Sequence, residues 1–215
     1  MGNEKYRGIP ELFKAEKAVG YSPEELSAVK AEVGELPAEL EKFYLYCGNT
    51  PELHGLQDEL ILPNKYPALI DPEYIVFFDE NQGICHAAVR KSETALGDPP
   101  VYTSVDSGEW VLSSPRFSEF ITAMFDYQAS ICLEFNPEEF YFITPEERGK
   151  IESLFPKLGR FDKWLYDCDI TVFGENGGRI ALMDTGGDIQ MNYAANNREE
   201  FERIRKLLDG IGEPI

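Results

Sequence analysis

Tyr74-Ile75-Val76-Phe77-Phe78, then Asp79-Glu80-Asn81-Gln82-Gly83, then Ile84-Cys85-His86-Ala87-Ala88-Val89: the reading of this stretch decides the fold. The first run is β-branched and aromatic, the last is mostly apolar, and the residues between them are turn formers. Two such runs around such a turn predict an antiparallel hairpin. Successive strand side chains point to opposite faces, so Cys85 and His86 cannot form a thiolate–imidazole pair with each other. One of the two belongs to the core and the other to the surface. Asn81 and Gln82 read as amides that fill backbone bonds at the strand end. Asp79 and Glu80 stay open to a recognition role.

Further strands flank the hairpin. Glu59-Leu60-Ile61-Leu62 is a short strand stopped by Pro63, and 101–105 is another. Asp106-Ser107-Gly108 is a turn, and Glu109-Trp110-Val111-Leu112 is the partner strand. Two helices precede the strands. Ser22-Pro23-Glu24-Glu25 combines an N-cap, a proline suited to the first turn and a capping-box glutamate, and Gly34 stops that helix. Leu36-Pro37 opens the second, whose Leu40, Phe43, Tyr44 and Cys47 keep the spacing of a buried stripe, with Gly48-Asn49 as its C-cap. Ser114-Pro115 starts a third helix striped by Phe117, Phe120, Ile121 and Met124. The fold class is therefore α+β, an antiparallel sheet flanked by helices.

After Phe135-Asn136-Pro137 the texture changes. Thr144-Pro145-Glu146-Glu147 repeats the capping signal, strands follow at 169–173, 179–184 and 188–193, and Asn197 caps a last helix. Asn176-Gly177-Gly178 and Thr185-Gly186-Gly187 read as tight turns and not as phosphate loops, because acids flank them and no nucleotide motif accompanies them. The expected organisation is an N-terminal segment 1–21, an α+β domain 22–135 and a helix–three-strand meander–helix extension 136–215. Whether the extension enlarges the sheet, forms a second small domain or mediates self-association stays open.

The chain has 215 residues, 43% of them hydrophobic, and a formal net charge of −19. That apolar fraction supports a packed core and excludes a disordered acidic tail. No apolar run is long enough for a membrane span, and no signal peptide is visible, so a cytoplasmic location is expected. The charge disfavours nucleic acid, whose grip needs clustered Lys and Arg, and it attracts cationic partners. Residues 51–150 hold 18 acids against 6 bases, which concentrates the charge in the middle of the chain.

Catalytic chemistry finds little support. The cysteines Cys47, Cys85, Cys132 and Cys168 are scattered and read as reduced core thiols. His54 and His86 lack metal-ligand spacing, so neither a metal nor a cofactor is expected. There is no nucleophile elbow. Paired carboxylates of an acidic hydrolase remain an alternative, but 39 acids bring some close by chance.

The order of these signals resembles the SUKH superfamily, the Smi/Knr-like domain. Leu36-Pro37-Ala38-Glu39-Leu40-Glu41-Lys42-Phe43-Tyr44 with Gly48-Asn49 is similar to its opening helix, and Leu60-Ile61-Leu62-Pro63 to its first strand. The stretch 77–85 is similar to its E-N-Q-G-V hairpin. Asp98-Pro99-Pro100-Val101-Tyr102 with Trp110 resembles the pair that follows, and Phe117-Ser118-Glu119-Phe120-Ile121 its closing helix. The resemblance covers about residues 22–135. It implies a domain without catalytic residues. Bacterial relatives act largely as immunity proteins that bind and block a cognate toxin, often a nuclease, and others are intracellular interaction modules. A basic nuclease toxin is the partner that an acidic inhibitor suits. Asp79, Glu80, Asp98, Asp106, Glu109 and Trp110, on expected loops and strand ends, are the candidate partner-binding residues. The alternative is a regulatory or scaffold module of the same fold. The oligomeric state is not legible.

Overall fold

The hairpin forms as the apolar runs demand. Strand β2 (Tyr74–Asp79) pairs antiparallel with β3 (Cys85–Arg90), and a bulge between Val76 and Phe78 shifts the register. The computed structural model describes residues 4–63, 71–106, 108–165 and 167–215, so Met1 to Asn3 and Ser107 of the expected turn lie outside the described residues. Strand β1 (Glu59–Leu60) joins one edge, and β4 (Val101–Val105) and β5 (Val111–Ser114) extend the other. The result is a five-stranded antiparallel meander, β1-β2-β3-β4-β5. Strand β5 begins two residues later than expected, so Glu109 and Trp110 sit on the loop before it.

Two compact units divide at Ile121/Thr122. The first holds the meander, α1 (Gly8–Leu12), α2 (Pro23–Val33), α3 (Ala38–Cys47) and the start of α4 (Phe117–Cys132). Ser22 and Glu25 form the full capping box of α2. Gly48 is the C-cap of α3, as expected, with its N–H donating to the Phe43 and Tyr44 carbonyls. Gly48 has φ −62°, and a Cβ there would stand 2.7 Å from the Tyr44 ring and 2.8 Å from its Cα, so glycine is required by close approach. Phe77 carries the core of this unit, with its ring 5.0 Å from Phe117 and 5.7 Å from Phe120. Tyr6, before α1, is fully buried edge-on to Phe43 at 5.3 Å, which ties the N-terminal segment to the core.

The second unit begins within α4 and contains β6 (Tyr141–Ile143), α5 (Pro145–Leu154), β7 (Lys157–Trp164), β8 (Cys168–Phe173), β9 (Gly178–Asp184), β10 (Ile189–Ala195), α6 (Arg198–Leu207) and β11 (Glu213–Pro214). The expected meander is present as β8–β10, and three further strands widen it into a six-stranded antiparallel sheet, β11-β6-β10-β9-β8-β7. Asn176 and Gly177 have φ of 48° and 86°, the left-handed pair of a tight hairpin turn. One face of the sheet builds a core with the two flanking helices, in which Ile180, Leu182, Met191 and Tyr193 meet Ile151 of α5 and Ile204 of α6. The other face meets α4, where Tyr127 lies 6.1 Å from Phe161.

Polar groups on that buried stretch of α4 are matched. Asp126 receives a hydrogen bond from Arg179 Nε on β9; the carboxylate is buried and the arginine largely so. Burial pushes the Asp126 carboxyl above its usual range, with Arg179 pulling against that rise. Removing one member of such a pair leaves a buried charge unpaired. Arg179→Met is expected to destabilise the protein by about 3–5 kcal/mol, and the double variant with Asp126→Leu to recover most of it, as read from urea unfolding at neutral pH. A single variant as stable as the parent would contradict this role.

Candidate functional site: the outer face of the first sheet

The core helices meet the face of the meander that carries Ile75, Phe77, Cys85, Ala87 and Val89, all buried. Alternation places the intervening residues on the opposite face. The registers arrange them in three rows across the strands: Tyr74 with Arg90; Val76, Ala88, Tyr102 and Leu112; and Asp79, His86 and Ser104. The bulge after Val76 is what brings Asp79, rather than Phe78, opposite His86.

An aromatic cluster occupies the first two rows. Trp110 stacks on Tyr74 at 4.5 Å with an interplanar angle of 20°, and Tyr102 meets Tyr74 edge-on at 5.8 Å. The Arg90 guanidinium lies 4.7 Å from the centre of the Tyr102 ring, and its Nη2 donates to the Tyr74 hydroxyl at 2.8 Å. Tyr102 donates to Glu93 at 3.1 Å. Burial and then the Glu93 charge hold the Tyr102 hydroxyl above its usual range. Ala88 at the centre is fully buried, so its larger neighbours close over it. These contacts fix the rings before any partner arrives. At the edge Leu112 is 56% exposed.

The third row sets a carboxylate, an imidazole and a hydroxyl side by side. The Asp79 carboxylate contacts His86 Nδ1. Ser104 is buried and gives its single proton to the Gly108 carbonyl at 2.9 Å, so the row braces the loop that carries Glu109 and Trp110. The hydrogen bond to Asp79 raises the His86 pKa above its ordinary value, against the opposing effect of burial, and the charges of Asp79 and Glu80 add to the rise.

Four of the six residues expected at the partner surface gather here: Asp79 on the third row, Trp110 in the cluster, and exposed Asp106 and Glu109 on the loop beside it. The other two are committed within the fold. Glu80 is buried, and its carboxylate accepts from the backbone N–H of Gln82 at 2.9 Å, so this carboxylate serves the hairpin turn while Asn81 and Gln82 stand exposed. Asp98 accepts from Ser118 N at 2.8 Å and Ser118 Oγ at 2.7 Å, capping α4 from twenty residues away. Burial would raise the Asp98 pKa, but the Ser118 bonds and the Lys5 ammonium together hold it below the usual range. Tyr74, Arg90, Tyr102 and Leu112 were missed, because strand register alone unites them. The alternation of Tyr102 and Ser104 was the one signal available.

Other chemistry is sparse among the described residues. No group of three or more His, Cys, Asp and Glu side chains could hold a metal ion, and no helix is long and apolar enough to cross a membrane. Cys47, Cys85 and Cys168 are buried as expected, whereas Cys132 is exposed at the end of α4, where the helix leaves the core. Burial pushes the Cys47 and Cys168 thiols up to about 12, which makes them poor nucleophiles. A groove of about 490 Å³ belongs to the second unit and is floored by the stacked rings of Tyr141, Tyr193 and Phe201.

Two measurements check these assignments. Asp98→Ala is expected to cost about 1 kcal/mol in thermal unfolding through loss of the cap, and an unchanged melting temperature would contradict it. A pKa raised on folding means that the His86–Asp79 pair stabilises fully below the ordinary histidine value of 6.5 and fades as pH climbs through the higher folded value. The melting-temperature gap between the parent and His86→Gln should therefore be widest in mild acid and shrink toward alkaline pH. A gap constant from about pH 5 to 9 would contradict the pairing.

No protein-family model, curated protein or solved structure matches this chain.

Proposed function

We propose that the chain is a non-catalytic, cytoplasmic protein-binding module of the SUKH type, an immunity protein that binds and neutralises a cognate toxin of the basic nuclease kind. The observation that carries this reading is the outer face of the first sheet. Trp110 lies flat on Tyr74 beside exposed Leu112, and Asp106 and Glu109 are exposed on the adjoining loop.

The physical logic joins two requirements. A nuclease grips phosphates with clustered Lys and Arg, so its cleft is cationic. An acidic inhibitor is drawn to that cleft over long range, which speeds encounter, and its charges disfavour neutral or acidic partners. Affinity then concentrates in a few aromatic anchors ringed by polar groups. Trp110 is held by Tyr74 before binding, so little side-chain freedom remains to be lost on association. Neutralisation in this account is occlusion: the inhibitor fills the surface that the toxin needs for its substrate.

The test uses the toxin encoded beside the gene. Co-expression should restore growth, and the two proteins should co-purify. Reversing Asp106 and Glu109 to Lys should slow association about tenfold at low salt and flatten its salt dependence. Trp110→Ala should weaken the complex by about 2 kcal/mol, mainly through faster dissociation. A complex that forms equally fast at low and high salt, or that tolerates Trp110→Ala, would overturn the reading.

A further inference from the structure

The ladder of the six-stranded sheet opens along β10. That strand pairs with β6 as far as Met191↔Tyr141 and next meets the chain at the Phe135–Ala195 bridge. Between these points residues 136–140 run opposite 192–194 with no strand pairing. Ala195 exchanges both of its backbone bonds with Phe135, at 2.9 and 3.2 Å. Alternation turns the Tyr193 N–H and C=O to the same side as those of Ala195. Among the described residues, no backbone group across the gap bonds to them.

A cavity of about 120 Å³ lies in the gap, lined by Ser130, Asn136, Glu138, Glu139, Asn192 and Tyr193 among others. That is several times the space one water requires. Asn192 is 97% buried and its Oδ1 has no partner. The surrounding bonds fix which way this amide faces. Ser130 Oγ gives its proton to the Tyr127 carbonyl at 2.6 Å, so it can only accept from Asn192 Nδ2, at 2.7 Å. The oxygen is left as an acceptor without a donor. Asn136 supplies none: its Nδ2 donates to the Leu133 carbonyl, its Oδ1 accepts from Glu138 N, and Asn192 Oδ1 stays without a partner.

Acceptors therefore dominate this cavity: Asn192 Oδ1, the Tyr193 carbonyl and the exposed carboxylates of Glu138 and Glu139. An anion is repelled there, and a group that only donates suits these acceptors better than water, which must also accept. We propose that the cavity binds a primary ammonium group, borne either by a small alkylamine or by a lysine side chain. Its N–H donors would serve the buried Asn192 oxygen, the Tyr193 carbonyl and one of the two carboxylates. This site is built wholly from second-unit residues and is independent of the toxin-binding reading.

The ¹⁵N-labelled full chain is titrated with n-propylammonium chloride, following the Asn192 side-chain amide and the Tyr193 backbone amide by NMR. Saturable shifts are expected with this salt, and none with propyltrimethylammonium, which has the same charge but no N–H. Asn192→Leu and the paired change Glu138→Gln with Glu139→Gln should each weaken binding about tenfold or more. The glutamates are exposed, so that variant carries the test if Asn192→Leu does not fold. Nα-acetyl-lysine amide separates the sources: binding as tight as that of propylammonium supports a lysine of another protein, and binding of propylammonium alone supports a free amine. No saturable shift with either amine would mean that the cavity holds water only, and equal shifts with both propyl cations would mean unspecific attraction to an acidic surface. Either result overturns the proposal.

Discussion

Helix α4 is buried along most of its sixteen residues, and each buried position must find a match. Its first turns do this with rings, as Phe117 and Phe120 meet Phe77. Further along, apolar packing no longer suffices, because Asp126 and Ser130 are buried too. Arg179 on β9 answers the carboxylate, and Asn192 on β10 answers the hydroxyl. A slip of one residue in either strand would turn those side chains to the wrong face. The need to match α4 therefore pins the register of two neighbouring strands.

The first sheet has two unlike faces. One face is given over to the core. The other is covered by side chains packed on one another, with Arg90 between two tyrosine rings and Trp110 flat on Tyr74. Such a face is rigid, because each ring is held by a neighbour. It also keeps exposed apolar area at its edge on Leu112, and Asp106 and Glu109 are exposed on the loop before that strand. A rigid apolar centre with an acidic margin is the surface expected of a protein that works by binding a cationic partner.

What could be read from the sequence was local. The hairpin, both capping boxes, the Asn176-Gly177 turn and the three middle strands of the second sheet are each written in neighbouring residues. What escaped depends on distant ones. Ser114-Pro115 looked like a helix start, but α4 begins at Phe117 because its cap is Asp98. Strand β7 hides its period behind two bulges, and Gly159 stands where a Cβ would come within 2.7 Å of Ala123 on α4. Strands β6 and β11 are three and two residues long, too short to show alternation. In the candidate site, Trp110 and the acids were legible as residues of expected loops and strand ends. Their aromatic partners were not, because Tyr74, Arg90 and Tyr102 come together only through a register that a bulge has shifted. Glu80 misled for a related reason: its longer carboxylate took over the turn bonds that the neighbouring amides were expected to make.

The most direct measurement is backbone hydrogen exchange of the chain alone and in complex with the toxin proposed as its partner. The account predicts new protection confined to the outer face and its edge, at 74–79, 86–90 and 108–114, with α2 and α3 unchanged. Protection that falls on α2 and α3, or only on residues beyond 122, would contradict it.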